Sequence, residues 1–276
     1  MNYRHIYHAG NFSDVFKHAV LAATVAHLLK KPAPFFALDT HAGIGKYDLA
    51  DERARKTAEA DAGIFRLLAE KKSLPKAFAP YLSILGGIKN TYPGSPRILR
   101  RLMRPSDRLA LCELHPEDFK ALAAEFARDR NTSVQQMDGW NGIAAFLPPK
   151  EMRGLMLIDP PFEEDGELER MARAAIAAHE RWPQGVQILW YPIKDVAAIW
   201  RFHETLEKSG IPGILALDLF IHSAADVERL NGCGLAVIGP PWQAEADYAE
   251  ILAACARLFA APDAPESKLA WLAARK

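Results

Sequence analysis

The sequence holds only three cysteines in 276 residues, and their spacing suits none of the frameworks that cysteine builds. Cys112, Cys233 and Cys255 are an odd number without a C-x-x-C pair, which disfavours a disulfide scaffold and a structural zinc site, so they read as reduced, buried small hydrophobes. Net charge is also missing. Lys plus Arg and Asp plus Glu are 34 each, so no chain-wide basic field exists, and a polyanionic partner has to be met by a local patch. Long apolar runs are absent: residues 19–29 and 251–261 are broken by His27 and Arg257 and fall short of the roughly 18 residues a membrane span needs. Residues 1–20 contain Arg4, three histidines, Asp14 and Lys17 without an apolar h-region, so the expectation is no secretory signal and a cytoplasmic location. Neither an internal repeat nor a low-complexity tract is visible. Half of the residues are apolar and a quarter charged, which fits a globular protein of one large domain, or a core with an appendage, at about 150 residues per domain.

What is present is an alternation of two periods. Ser13 is placed to cap an amphipathic helix that runs to about Lys30, Pro32 and Pro34 stop it, and residues 35–39 read as a buried strand. That strand runs into the glycine turn His41-Ala42-Gly43-Ile44-Gly45. Apolar runs at 109–112, 133–137, 155–158, 186–190, 214–220 and 235–238 follow, most of them separated by helical patterns. This predicts an α/β fold with a mostly parallel, twisted sheet and helices on both faces. The last two runs lack a helix-length connection and are expected to pair as an antiparallel edge. Residues 46–108 are far longer than a βα crossover requires, and 57–68 and 76–85 have helical periodicity. A small helical subdomain inserted at 46–93 is therefore expected, between residues 1–45 (an N-terminal lid, a helix and the first strand) and the remaining core at 94–276.

Four acids mark strand ends: Asp39, Glu113, Asp138 and Asp159. Ligands of open α/β sheets bind outside the carboxyl ends of the strands, so the four should face one crevice, where carboxylates can accept ribose hydroxyls and an adenine amine. Any one of them could be a helix N-cap; four in register are better explained by a ligand. The glycine turn lacks the third glycine of G-x-G-x-x-G, Asp48 standing there, which disfavours a nicotinamide enzyme. The sharpest motif is Leu157-Ile158-Asp159-Pro160-Pro161-Phe162. Its two prolines remove donors and stiffen the turn, leaving the Asp159 carboxylate and the Pro160 carbonyl to hold the two N–H groups of an exocyclic amine, with Phe162 as a stacking face.

With these residues the chain resembles the amino-methyltransferases, and specifically the bacterial 23S ribosomal RNA adenine-N6 methyltransferase J family. The resemblance rests on Tyr3-Arg4-His5, His8-Ala9-Gly10-Asn11, Asp14-Val15, Lys17-His18, Asp39-Thr40-His41-Ala42-Gly43, Tyr92-Pro93-Gly94-Ser95-Pro96, Glu113-Leu114-His115-Pro116, Asp138-Gly139, Asp159-Pro160-Pro161, Leu189-Trp190-Tyr191-Pro192 and Pro240-Pro241-Trp242. It implies a Rossmann-like methyltransferase core, S-adenosyl-L-methionine as cofactor and 23S rRNA as partner, without a metal or a membrane, in a monomer. It further implies cofactor contacts by His18, His41, Ser95, Glu113, Asp138 and Gly139, catalysis at Asp159 and a substrate contact by Tyr3; the residues themselves add Pro160 and Phe162 to the catalytic set and His5 and Lys17 to the substrate side. Phe162 stands where many adenine-N6 enzymes carry Tyr. A DNA adenine methyltransferase and a non-catalytic RNA-binding protein of the same fold are the alternatives.

Several signals have plainer readings. His5-x-x-His8 lacks a completing ligand set and reads as polar contacts to cofactor or RNA. Lys17 and His18 fall in the first turn of their expected helix, where the macrodipole disfavours positive charge. Ser95 and Pro96 read as N-cap and first helical residue. Arg97, Arg100, Arg101 and Arg104 share one helical face, either a solvated stripe or the local candidate for phosphate contacts. Gly239-Pro240-Pro241-Trp242 repeats the catalytic motif without its carboxylate and reads as a strand end.

Overall fold

The structure, a computed structural model, describes residues 4–86 and 90–275. After a 3₁₀ turn at His5–Tyr7, helix α1 spans Phe12–Leu29. Its cap is Asn11, whose side-chain oxygen accepts from the Asp14 N–H at 2.9 Å; Ser13, the expected cap, already lies inside the first turn. Helix α1 is buried along almost its whole length, and a helix in that position keeps a polar side chain only where a partner waits for it. The Thr24 hydroxyl meets that of Tyr248 at 2.7 Å, His27 meets the Asp247 carboxylate at 2.6 Å, and His18 meets the Tyr92 hydroxyl at 2.7 Å.

Strand β1 (Phe36–Asp39) is followed by β2 (Lys46–Asp48), α2 (Glu52–Thr57), a π turn (Asp61–Phe65), α3 (Arg66–Ala69), α4 (Ala79–Ile84) and β3 (Thr91–Pro93). The long connection is mainly helical, and β2 and β3 add a small antiparallel ladder that its periodicity did not announce. Its Ile64, Leu67, Phe78, Tyr81 and Tyr92 join α1 in a continuous core. The π turn rides directly on the backbone before α1: a Cβ at Gly63 would lie 2.1 Å from the Gly10 carbonyl oxygen, to which Ile64 N–H donates at 2.8 Å.

The chain continues through α5 (Ser95–Leu102), β4 (Arg108–Glu113), α6 (Pro116–Phe126), β5 (Thr132–Gln136), α7 (Gly139–Phe146), β6 (Gly154–Ile158), α8 (Glu167–Arg181) and β7 (Gly185–Ile193). Helix α9 (Val196–Glu207), β8 (Ile214–Phe220), β9 (Gly232–Ile238), α10 (Ala244–Phe259) and β10 (Lys268–Ala273) complete it. The eight-stranded sheet has the order β10-β8-β9-β7-β6-β1-β4-β5. Neighbours from β7 to β5 are parallel, while β9 runs antiparallel to β7 and β8. The expected antiparallel pair of β8 and β9 forms, but neither is the edge; β10 adds outside β8. Alternate strand residues feed the two layers of helices. Ala37, Leu155 and Leu157 join the core of α1 and α10, whereas Phe36, Met156 and Ile158 join that of α7, α8 and α9. All three cysteines are free and buried. Among the described residues no helix is long and apolar enough to cross a membrane.

The guanidinium groups of Arg97, Arg100, Arg101 and Arg104 are largely engaged inside the chain, Arg101 alone of the four being exposed. Arg97 pairs with Glu125, Arg101 donates to the Ile84 carbonyl, and Arg100 donates to the carbonyls of Arg104 and Asp107. Arg104 reaches the carbonyls of Pro32 and Ala33 at 2.9 and 3.0 Å and both oxygens of Asp107. The turn before β1, rich in proline, leaves carbonyls that no ladder satisfies, and Arg104 satisfies them. Asp107, wholly buried, also accepts from the Phe35 and Arg104 N–H groups at 3.0 and 2.8 Å. Asp107→Ala should therefore lower the unfolding free energy in urea by about 3 kcal/mol, and Arg100→Ala by about 1 kcal/mol. Arg100→Ala should leave the salt dependence of RNA binding unchanged; a flattened slope with wild-type stability would return the arginine to phosphate contact.

Candidate active site

The carboxyl ends of the parallel strands open on a cavity of about 500 Å³, the place where open α/β sheets bind ligands. Glu113, Asp138 and Asp159 line it, at the ends of β4, β5 and β6; Asp39, at the end of β1, does not line it and is wholly buried. The four acids have four environments. Glu113 accepts from the N–H groups of Gly43 and His115, at 2.9 and 2.7 Å, while its burial raises the carboxyl above the usual range. Asp138 caps α7 by accepting from the Trp140 N–H at 3.0 Å, and its other oxygen accepts from Arg170 at 3.3 Å. Asp159 Oδ2 accepts from Lys17 Nζ at 2.5 Å. Asp39 keeps one oxygen without a partner, and burial pushes its carboxyl up to about 7 against hydrogen bonds from Ser95 and the His41 N–H.

The remaining predicted residues sort around these acids. Lys17, only 4% exposed, stands between Asp159 and Asp14, whose Oδ1 is 3.0 Å away. Burial opposes its charge, but the two carboxylates outweigh that cost and hold the ammonium well above the ordinary lysine range. Because α1 starts at Phe12, Lys17 and His18 belong to its second turn and escape the expected macrodipole penalty. Burial drives His18 down to about 3, so the ring is neutral. It drives His41 down to about 4; that ring holds the Thr40 hydroxyl at 2.8 Å and meets Trp140 edge-on. Ser95 is not a cap: Gly94 takes that position, and Ser95, the first residue of α5, lines the cavity. Gly139 has a packing reason as well, since a Cβ there would sit 2.0 Å from the Thr40 carbonyl oxygen.

His5 lines the cavity with its Nε2 at 2.9 Å from Asp14 Oδ2 and its ring 5.0 Å from that of Tyr47. Tyr3 lies outside the described residues. Pro160 and Phe162 line the wall beside Asp159, Phe162 with a left-handed backbone (φ +53°) and its ring at 5.6 Å from Trp190. Asp14, Trp140, Arg170 and Trp190 complete the site without having been singled out. Trp190 sat inside a quoted motif; its indole N–H donates to Ser13 at 2.9 Å, which is what that hydroxyl does in place of capping. Arg170 has no local sequence signal. Among the described residues no group of three or more His, Cys, Asp or Glu is arranged around a metal position.

The buried Asp39 makes stability depend on pH with a definite sign. A carboxyl near 7 in the folded chain and near 3.8 when unfolded keeps a proton that the unfolded chain has released, so its contribution falls as pH rises from about 4 to 7. His18 acts the other way between about 3 and 6.5, where the unfolded chain binds the extra proton. Asp39→Asn isolates the first effect. Its unfolding free energy relative to wild type should rise by about 3 kcal/mol over that interval; a pH-independent difference in urea unfolding would show that Asp39 is ionised throughout.

Comparison with known proteins agrees with this architecture. The sequence profile of the family described as ribosomal RNA large subunit methyltransferase D, RlmJ, matches residues 32–273. The ribosomal RNA large subunit methyltransferase J of Escherichia coli (strain K12) is 38% identical over 257 residues, covering 91% of each chain. The protein of the same name from Haemophilus influenzae is 38% identical over 258 residues, 91% of this chain and 92% of that one. The crystal structure of a protein from Legionella pneumophila superposes with a TM-score of 0.87 at 31% identity, over 95% of this chain and 98% of that one. A profile match over most of the sequence and two relatives at this identity place the chain in the RlmJ family of ribosomal RNA large subunit methyltransferases.

Proposed function

We propose that the cavity takes S-adenosyl-L-methionine and a flipped adenine together, and that the chain methylates the exocyclic N6 of an adenine in 23S rRNA. Asp159 carries this reading: an acid at the end of a buried strand, followed by Pro160, Pro161 and Phe162, in a cavity that Glu113 and Asp138 also line. The cofactor suits the donor set. Glu113 and Asp138 each keep acceptor capacity beyond the N–H groups they hold, a carboxylate having about four lone-pair sites, enough for ribose hydroxyls and an adenine amine. His18, His41, Ser95 and Gly139 complete the cofactor half.

When bound, the cofactor supplies an electrophilic methyl group. The chain's own part is to aim and stabilise the attacking amine. Lys17 holds Asp159 Oδ2 and fixes the carboxylate, leaving Oδ1 and the Pro160 carbonyl to accept the two amine N–H groups. The carboxylate then opposes the positive charge that develops on nitrogen. Phe162, braced edge-on by Trp190, offers its face to the base. Residues before α1 close the substrate side as a lid: Arg4 pairs with Glu117 and Asp118 at 2.9 and 3.1 Å, and His5 and His8 line the cavity. His5 and Lys17 form the substrate half.

The experiment is transfer of a labelled methyl group to 23S rRNA and to DNA side by side, with nucleoside analysis of the product. Label in N6-methyladenosine from rRNA alone is the expected result; label in DNA would move the chain to the DNA enzymes, and no transfer to either would remove the activity. Asp159→Ala should lower turnover on rRNA on the order of a hundredfold or more while S-adenosyl-L-methionine still binds in calorimetry. Near-normal turnover would remove Asp159 from the chemistry.

A further inference from the structure

Between β6 and α8 the chain makes an irregular loop that carries Asp159 at its start and Glu163, Glu164 and Asp165 beyond Phe162. Glu167 and Glu169 follow in the first turn of α8, and the single base in residues 163–170 is Arg170. Its guanidinium has three neighbours. One nitrogen is 3.3 Å from Asp138 Oδ2, the other terminal nitrogen is 3.7 Å from Glu164 Oε2, and the plane lies 4.9 Å from the centre of the Trp140 ring. Asp138 and Glu164 come from different parts of the fold, the end of β5 and the loop of the catalytic acid, and Arg170 is their common cation. Both lie on the cavity wall, as does Arg170 itself.

We propose that Arg170 is a positioning residue that couples the cofactor half of the cavity to the catalytic loop by holding Asp138 and Glu164 with one guanidinium. The inference rests on the reading that Asp138 receives the adenine end of the cofactor. A planar fork with five donors can serve two carboxylates in fixed directions, which a lysine ammonium cannot do. Stacking on Trp140 fixes the plane, and Trp140 is in turn the residue whose N–H Asp138 caps, so helix start, acid and cation form one unit. Without the cation, Asp138 and Glu164 would lose the charge they share, and like charges would push the loop away from Asp138. Sharing has a second consequence. A ligand that changes how Asp138 is held changes what restrains Glu164, and reciprocity then makes the order of the catalytic loop affect cofactor affinity.

The test uses the full chain with S-adenosyl-L-methionine and in vitro transcribed 23S rRNA, and variants Arg170→Ala, Arg170→Lys, Glu164→Gln and the double variant Arg170→Ala/Glu164→Gln. Arg170→Ala should weaken cofactor binding, read by calorimetry without RNA, by about tenfold and lower kcat by a similar factor. Glu164→Gln should lower kcat several-fold and weaken cofactor binding less than Arg170→Ala does, because it releases the loop but leaves the contact between Arg170 and Asp138. Arg170→Lys should restore cofactor affinity in part and kcat hardly at all, the charge being kept and the fork lost. In the double variant the Glu164 change should cost nothing further, the mark of two residues acting through one contact. Additive losses in the double variant, or wild-type cofactor affinity in a folded Arg170→Ala, would overturn the coupling. A wild-type chain that fails to bind S-adenosyl-L-methionine overturns the cofactor reading itself, and that is seen before any variant is made.

Discussion

A buried ammonium is among the costliest groups a protein can hold, and Lys17 in the wall of α1 is tolerable only because Asp14 and Asp159 flank it. The rest of the site is arranged around that requirement. Asp14 lies one turn before Lys17, and its second oxygen accepts from His5 and from the Gly10 N–H, each at 2.9 Å. The segment that covers the substrate side, the most deeply buried helix and the acid at the end of β6 thus share one chain of hydrogen bonds. Removing Lys17 would leave two carboxylates without their cation, and removing either acid would take away one of the two partners that offset the burial of the ammonium, so helix, N-terminal segment and strand-end acid keep their places together. The inserted helices contribute to the same arrangement by packing on α1 and on the backbone at Gly10, which fixes where the network begins.

The acids at strand ends show how one sequence signal yields several chemistries. Asp39, Glu113, Asp138 and Asp159 all lie at carboxyl ends of parallel strands, but Asp39 is level with Leu111 and Leu157, two residues deeper than Glu113 and Asp159; it is buried with a pKa near 7, while one of the others is held by two backbone N–H groups, one caps a helix beside an arginine and one is paired with a lysine. The difference comes from depth for Asp39 and, for the others, from what stands opposite, supplied by distant elements: α1 for Asp159 and α8 for Asp138. Position along the chain selects the crevice, and the partner selects the task.

Legibility in the sequence followed the same division. Apolar runs identified seven strands of the main sheet; β1, β6 and β9, buried on both faces, have no polar alternation to confuse them, whereas β5 is a half-exposed edge strand. Strand β10 was not legible: Lys268-Leu269-Ala270-Trp271-Leu272-Ala273 contains good helix formers and follows a helix, and only pairing with β8 makes it extended. The choice of Asn11 over Ser13 as cap was hidden because both are good capping residues, and the contest is decided by Trp190, which claims the Ser13 hydroxyl. Helical periodicity put Arg97, Arg100 and Arg101 on one side of α5 and carried the stripe on to Arg104, which lies beyond the end of the helix at Leu102. It says nothing of the carbonyls at residues 32, 33, 84 and 107 that face that side.

That correction bears on how such a protein would hold RNA. Its formal charge is zero, the arginines at and just beyond α5 are largely engaged with Glu125 and with backbone carbonyls, and the cation nearest the reacting position is neutralised by two carboxylates. Counterion release, the usual source of affinity for nucleic acid, therefore has little to draw on around the cavity. On the proposed reading the discrimination falls to the base itself: an aromatic wall of Phe162 and Trp190, acceptors that match an exocyclic amine, and a lid tied down by Arg4. Stacking and paired hydrogen bonds need a base already out of its helix, and they reward an accessible adenine more than a long stretch of phosphate. An enzyme built this way gains selectivity for one exposed base at the expense of grip on RNA in general, which suits a substrate presented in a defined fold.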